Sequence, residues 1–403
     1  MANFSTQCRL GDLISIKHGF AFKSEYFSSQ GPFVLLTPGN FVEAGGFRWL
    51  GDKQKFYDGP VPNAFILSPG DMLIAMTEQA PGLLGSTFFL PEGQKYLHNQ
   101  RLGLIRVQAN EHLVDRYLHY YLSLPDTRRI ISAESTGTKV KHTSPERLYD
   151  LNISLPSLLE QRKIVEILRT WDEALEKLTE LRAAKARRLN GIAQRLLAPS
   201  RAIGQEFSRS NWNPSSFGDV FEERQDKNTD LGADDVVTVG KYAIRKQSEH
   251  FTRSVASKDL SNYWTISPGD FVYDPMSAYY GAIGRFSGSS DGIVSPAYRV
   301  IRLSADVDPE FMVTLLQTHH IRFLLETRSS QGNKIGKRRL LQRNEFESIE
   351  FKLPPIETQR DIASKIAVFQ AELALTDREI EALRRQKRGL MQKLLTGEWR
   401  VSC

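Results

Sequence analysis

Apolar residues recur in a 4,3 alternation through Ile164, Leu168, Trp171, Leu175, Leu178, Leu189, Ile192 and Leu196, interrupted by Arg182 and Lys185. A heptad of this kind predicts a long helix with one apolar seam, paired in a coiled coil. The same register returns through Ile362, Ile366, Phe369, Leu373, Ile380, Leu383, Leu390 and Leu394, with Thr376 and Lys387 in the remaining slots. The stretches 155–197 and 353–395 superpose at a constant offset of 198 residues without a gap. Both open on Leu-Pro (Leu155-Pro156, Leu353-Pro354), carry Gln-Arg (Gln161-Arg162, Gln359-Arg360) and close on Leu-Leu. A two-copy repeat of half the chain length indicates a duplicated unit. Each helix of about 37 residues would extend roughly 55 Å, so both act as spacers as well as packing elements.

Charge is ordered along both helices. In the first, Glu160, Glu166, Asp172, Glu173, Glu176 and Glu180 precede Arg182, Lys185, Arg187, Arg188 and Arg195. In the second, Glu357, Asp361, Glu372, Asp377, Glu379 and Glu381 precede Arg384, Arg385, Lys387, Arg388 and Lys393. Laid parallel, the basic ends would repel; laid antiparallel, each meets the acidic start of the other helix. Complementing each helix's own dipole is the plainer reading, but that effect acts only over the first and last turns. Contact of the basic ends with phosphates is a further reading.

What precedes each helix is duplicated more faintly. Ser68-Pro69-Gly70-Asp71 matches Ser267-Pro268-Gly269-Asp270 at an offset of 199, and Gly82-Leu83-Leu84-Gly85 meets Gly281-Ala282-Ile283-Gly284 at the same offset. Pro-Gly-Asp before an apolar run (Met72-Leu73-Ile74-Ala75; Phe271-Val272-Tyr273) predicts a tight turn feeding a strand, and Gly-x-x-Gly a bend before the next. Leu10-Gly11-Asp12 and Phe217-Gly218-Asp219 open the halves alike. Between these marks the halves diverge. The expected class is α+β: two mixed α/β domains in tandem, at 1–154 and 200–352. Each is followed by a long helix, at 155–199 and 353–403, and the helices pair as an antiparallel coiled coil with pseudo-twofold symmetry.

Composition narrows the setting. At 403 residues, 40% apolar and 25% charged, two cores of ordinary size are the default. No apolar run approaches the roughly 18 residues needed to span a bilayer, and the start lacks a signal-peptide pattern, so a non-exported protein with no membrane partner is expected. Two cysteines, Cys8 and Cys403, leave neither a disulfide framework nor a Cys-rich zinc site, in keeping with a reducing cytoplasm. The net charge of +6 favours a polyanionic partner.

Taken together, the paired marks resemble the specificity (S) subunit of type I restriction-modification enzymes. In that family, domains with a Leu-Gly-Asp start, a Pro-Gly-Asp turn and a Gly-Thr segment alternate with a Leu-Pro-(x)4-Gln-Arg helix. The Gly-Thr segment stands here as Gly137-Thr138-Lys139, whereas the second half departs from it with Gly332-Asn333-Lys334. The resemblance spans essentially the whole chain. It implies two target recognition domains, each reading one half of a split double-stranded DNA site, and a coiled coil that fixes the gap. It further implies two methyltransferase (M) subunits docked on the helical region and restriction (R) subunits joining them. Any S-adenosylmethionine would then reside in M, and ATP with Mg in R, in a bacterial or archaeal cytoplasm and in phage defence.

Independently of that resemblance, two unlike domains on a shared frame suit two half-sites that need not be palindromic. In the first domain the candidate DNA readers are Lys17, His18 and Lys23, the polar loop Thr77, Glu78 and Gln79, and the run Lys139, Lys141 and His142. In the second they are Lys241, Tyr242, Arg245 and Lys246, then Ser277, Tyr279 and Tyr280, and the basic cluster Lys334, Lys337, Arg338 and Arg339. Gln and Lys pair with adenine and guanine edges, while Lys on phosphate positions without specifying. Against each stands a plainer role: a basic run is usually a solvated face, Tyr279-Tyr280 would serve as core aromatics, and histidines are commonly structural.

No catalytic or metal site is expected. Gly332-x-x-x-Gly336-Lys337 has three residues between its glycines rather than four, and Arg338 stands where a P-loop needs Ser or Thr. The Pro354-Pro355 pair lacks the flanking residues with which amino-methyltransferases hold a flipped adenine, and it opens a helix, where Pro belongs. Glu350-Phe351-Lys352 lacks the preceding acid of a nuclease motif. Chemistry is left to partners, and a protein-interaction scaffold is the alternative reading.

Overall fold

The computed structural model describes residues 6–78, 82–137, 140–197, 211–232, 235–246, 259–331 and 339–401. Two compact units divide the chain. The first joins residues 1–179 to 379–403, and the second holds 180–378.

In the first unit an antiparallel sheet runs in the order Ile14–His18, Leu102–Val107, Met72–Ala75, Thr87–Phe89. Successive side chains of a strand face opposite ways, and the run Met72–Ala75 is buried on both faces because each face has its own core. Met72 and Ile74 join the cluster with Leu10, Tyr117, Ile164 and Leu394. Leu73 and Ala75 join another with Val34, Phe41 and Phe88. The second unit repeats the sheet order with Phe221–Arg224, Arg299–Leu303, Phe271–Tyr273 and Ile283–Arg285. There Phe271 and Tyr273 enter one cluster and Val272 the other. Outside this shared frame the units differ. The first adds a five-stranded sheet and the second two separate strand pairs, Val237–Gly240 with Ala243–Lys246 and Trp264–Ile266 with Gly292–Val294.

The duplicated marks build the frame. The Asp71 and Asp270 carboxylates each accept the N–H of the serine three residues earlier, both at 2.9 Å. Each is buried and paired with arginine: Asp71 with Arg106 at 2.6 Å, Asp270 with Arg224 at 2.9 Å and Arg302 at 3.4 Å. Gly11 lies so close to the helix Pro145–Tyr149 that an added Cβ would stand 2.6 Å from Tyr149 Cβ.

The long helices span Leu158–Leu197 and Ile356–Leu395, 40 residues each. Their pairing is antiparallel in both units. In the first, Ile164 and Leu168 share a core with Met391, Leu394 and Leu395. In the second, Leu189, Leu196 and Leu197 share one with Ile362 and Ile366.

Candidate nucleic-acid interface

In the first unit, pairing of Gly103 with His18 and of Leu102 with Ala75 brings three strand ends to one edge of the sheet. The chain beyond Ala75 continues as a short strand, Thr77–Glu78, paired with Lys141–His142. The polar loop expected at Thr77 and Glu78 is therefore a strand, and both residues are buried. The reason is their partners: Thr77 Oγ1 meets His142 Nδ1 at 3.1 Å, and the Glu78 carboxylate accepts the Gly82 N–H. His142 and Lys141 are exposed, the Lys141 ammonium donating to Ser132 Oγ at 2.6 Å. His18 and Lys17 are exposed at the same edge, Lys17 donating to the Ala64 carbonyl at 2.6 Å and lying over the Phe65 ring at 4.7 Å. Lys23 is exposed and pairs with Glu25 at 3.7 Å. Gln79 and Lys139 lie outside the described residues.

Arg128, which the sequence pattern did not single out, reaches Gly82, the residue whose N–H the Glu78 carboxylate accepts. One of its guanidinium nitrogens donates to the Gly82 carbonyl. Burial lowers its pKa to about 10, against the pull of the Glu43 and Glu78 carboxylates, so it stays a cation at neutral pH.

The second unit assembles its candidates around the turn 274–281. The Asp274 carbonyl accepts the N–H groups of Ser277 and Ala278, and Gly281 closes the turn at φ +103°. Ser277 and Tyr279 are half-buried, and Tyr280 is exposed. The Arg339 guanidinium lies over the Tyr279 ring at 5.2 Å and pairs with Glu326 at 3.1 Å. Tyr242 adopts φ +54°, costly for a residue with a side chain, and its N–H donates to the Gly281 carbonyl at 2.7 Å. An added Cβ at Gly281 would come within 2.6 Å of the Tyr242 ring, so glycine is required there twice over. Lys241 lies over the same ring at 5.9 Å, Arg245 is exposed, and Lys246 pairs with Asp235 at 2.6 Å. Lys334, Lys337 and Arg338 lie outside the described residues.

Along the helices Ile164, Leu168, Ile362, Ile366, Ile380 and Leu394 are buried. Trp171, Leu175, Leu178, Leu189, Ile192, Leu196, Phe369, Leu373, Leu383 and Leu390 are half-buried. The polar seam slots find polar partners. Lys387 pairs with Asp172, which also accepts from the Tyr120 hydroxyl at 2.6 Å. Arg182 grips Asp377 at 2.9 and 3.3 Å, and Lys185 donates to Thr376 Oγ1 at 3.1 Å.

The repeated Gln is the feature whose role the sequence left unassigned. The Gln161 carboxamide accepts the Val114 N–H at 2.9 Å and donates to the Pro156 and His112 carbonyls at 3.0 and 2.8 Å. Gln359 accepts the Asp308 N–H at 2.8 Å and donates to the Pro354 carbonyl at 2.8 Å. Val114 and Asp308 are the N-caps of the helices Asp115–Leu122 and Pro309–Leu316, so each Gln ties a domain helix to the start of a long helix.

Among the described residues no group of three or more His, Cys, Asp or Glu could hold a metal ion, and no helix is long and apolar enough to cross a membrane. The family model of the type I restriction modification DNA specificity domain matches residues 5–186. The type I restriction enzyme EcoBI specificity subunit of Escherichia coli is 23% identical over 450 residues, covering 97% of this chain and 86% of that protein. The MjaVIII specificity subunit of Methanocaldococcus jannaschii is also 23% identical, covering 73% of this chain and 72% of that one. The crystal structure of the M. genitalium S subunit superposes with a TM-score of 0.54 at 14% identity, over 97% of this chain and 96% of its own. A chain from a structural study of complex assembly in the type I R-M system gives 0.54 at 15% identity, over 97% of both. Residues 5–186 thus match a type I restriction modification DNA specificity domain, and the chain along most of its length is similar to the specificity subunits of type I restriction-modification systems.

Proposed function

We propose that each unit reads one half of a bipartite, asymmetric site in double-stranded DNA, and that the long helices set the gap and dock two methyltransferase subunits. A restriction subunit joins through them. The chain performs no chemistry itself: S-adenosylmethionine belongs to the methyltransferase partner, ATP and Mg to the restriction partner, and the complex works in the cytoplasm.

One observation carries this reading. The same sheet order, buried Asp turn and Gln tie occur twice, while the surfaces they carry differ in chemistry. A repeated frame with unlike surfaces suits two different half-sequences better than two copies of one partner. Lys and Arg at the edges supply phosphate contacts, and the unlike side chains between them supply discrimination.

The test is selection from random duplexes by the chain co-purified with its methyltransferase partner, across a salt series. Two fixed blocks of bases around a constant gap, with affinity falling steeply as salt rises, are expected. Binding without sequence enrichment would sink the reading and favour a protein scaffold. ATP-dependent cleavage by the assembled complex then separates a restriction system from one that only methylates.

A further inference from the structure

The two candidate surfaces occupy matching places in the frame yet differ in polarity. The Thr143 N–H donates to the Met76 carbonyl at 3.0 Å, and the Leu341 N–H to the Pro275 carbonyl at 2.9 Å. These two bonds align His142 of the first unit with Leu340 of the second, and Thr77 with Met276. In the first unit the pair is polar and mutually hydrogen-bonded, Thr77 Oγ1 to His142 Nδ1 at 3.1 Å. In the second it is apolar and open to solvent, Met276 and Leu340 each 38% exposed, and Tyr280, four residues after Met276 in the same turn, is 42% exposed. The Tyr280 ring packs edge-on to Tyr279 at 5.5 Å, and Arg339, next to Leu340, caps Tyr279.

An exposed apolar patch costs solubility and generally marks a binding surface. The basic groups near it are Arg339, which also pairs with Glu326, and the exposed Lys241 and Arg245 of the hairpin that Tyr242 ties to Gly281, while the Asp274 carboxylate accepts the Met276 N–H. The apolar group that a duplex offers between two phosphate rows is the thymine C5-methyl in the major groove. We propose that the second unit reads its half-site through thymine methyl groups, with Met276, Leu340 and Tyr280 as the contacting side chains, whereas the first unit reads by hydrogen bonds. This rests on the DNA-reading function proposed above and adds to it the chemistry of one half-site.

Deoxyuridine differs from thymidine only by the missing methyl and leaves every hydrogen-bonding group in place. Once the bipartite site is known, exchanging residues 1–154 for those of a relative identifies which half belongs to which unit. Thymines are then replaced by deoxyuridine one at a time, and affinity is measured with the chain and its methyltransferase partner. In the second unit's half-site at least one replacement should weaken binding about fourfold, the factor that burial of one methyl group carries. Replacements in the other half-site should change it less than twofold. Leu340→Asn and Met276→Gln, both at exposed positions, should retain the thermal unfolding midpoint and lose the preference for thymidine over deoxyuridine. A second half-site without A·T pairs, or one indifferent to deoxyuridine throughout, overturns the inference while leaving bipartite reading intact. Absence of any bipartite site removes both.

Discussion

Gln161 and Gln359 show how much a single side chain of the repeat does. Both are buried at the start of a long helix, and each satisfies the N–H of a helix N-cap in its own unit. Removing the carboxamide leaves that N–H and a proline carbonyl without partners, which costs the full desolvation of buried polar groups. Gln161→Leu should therefore lower stability by about 2 kcal/mol, and Gln359→Leu by a similar amount, read as shifts in the urea midpoint with unchanged slope. The sequence showed the Gln as repeated but not its partners, because Val114 and Asp308 come from helices far away in the chain. The Pro-Gly-Asp turn was legible in full, since its closing bond spans only three residues. Two histidines add a pH dependence confined to the first unit. Burial lowers the pKa of His98 and of His119 to about 4. Both are neutral in the folded state, while the unfolded chain takes up protons near 6.5, so the unfolded state binds more protons between these values. The contribution is present in full above pH ~6.5 and is lost as pH falls toward 4, each histidine accounting for on the order of 2–3 kcal/mol over that span. Thermal midpoints of the chain measured from pH 7.5 to 5 should fall. His98→Gln combined with His119→Gln should flatten that fall, and an unchanged slope in the double variant would refute the assignment.

At the scale of elements, the long helices were the most legible part of the chain. Their period is set by neighbours three and four residues apart, and the seam positions are buried or half-buried throughout. The strand Thr77–Glu78 was not legible, because its pairing with Lys141–His142 depends on residues some sixty positions later. Polar seam slots are the exception within the helices, and they carry a directional prediction. Lys387 is only 14% exposed, whereas its partner Asp172 is 43% exposed and also held by Tyr120. Losing the lysine leaves a carboxylate that still has a donor and water. Losing the aspartate leaves a mostly buried ammonium without its counter-charge, which is the more costly error. Lys387→Leu, which restores the residue type of the matching slot Leu189, should stay within about 1 kcal/mol of the parent protein. Asp172→Leu should cost about 2 kcal/mol or more, measured by the same urea titration. Equal costs for the two variants would show that the seam tolerates an unpaired lysine.

For the whole molecule, duplication with divergence explains which parts the sequence announces. Residues that make the frame recur because both units need the same turn, tie and seam. Residues on the candidate DNA surfaces do not recur, so no internal comparison picks them out, and Met276 and Leu340 read as ordinary apolar positions until the frame aligns them with Thr77 and His142. The same logic gives the helices a testable role as a ruler. One heptad inserted between Thr179 and Glu180, and another between Arg378 and Glu379, would lengthen both helices where the two units divide. Because seven residues restore the seam register, the pairs Lys387 with Asp172 and Arg182 with Asp377 stay intact. Seven residues at 1.5 Å add about 10 Å of helix, and successive base pairs rise about 3.4 Å, so the gap between half-sites should grow by about three base pairs. Both half-site sequences should be unchanged, since no residue of either candidate surface is altered. Selection from random duplexes reads the two outcomes separately. New half-site letters with the old gap would mean that the helices transmit something other than distance, while loss of all binding with the seam still folded would mean that the partner subunits, rather than the helices, set the spacing.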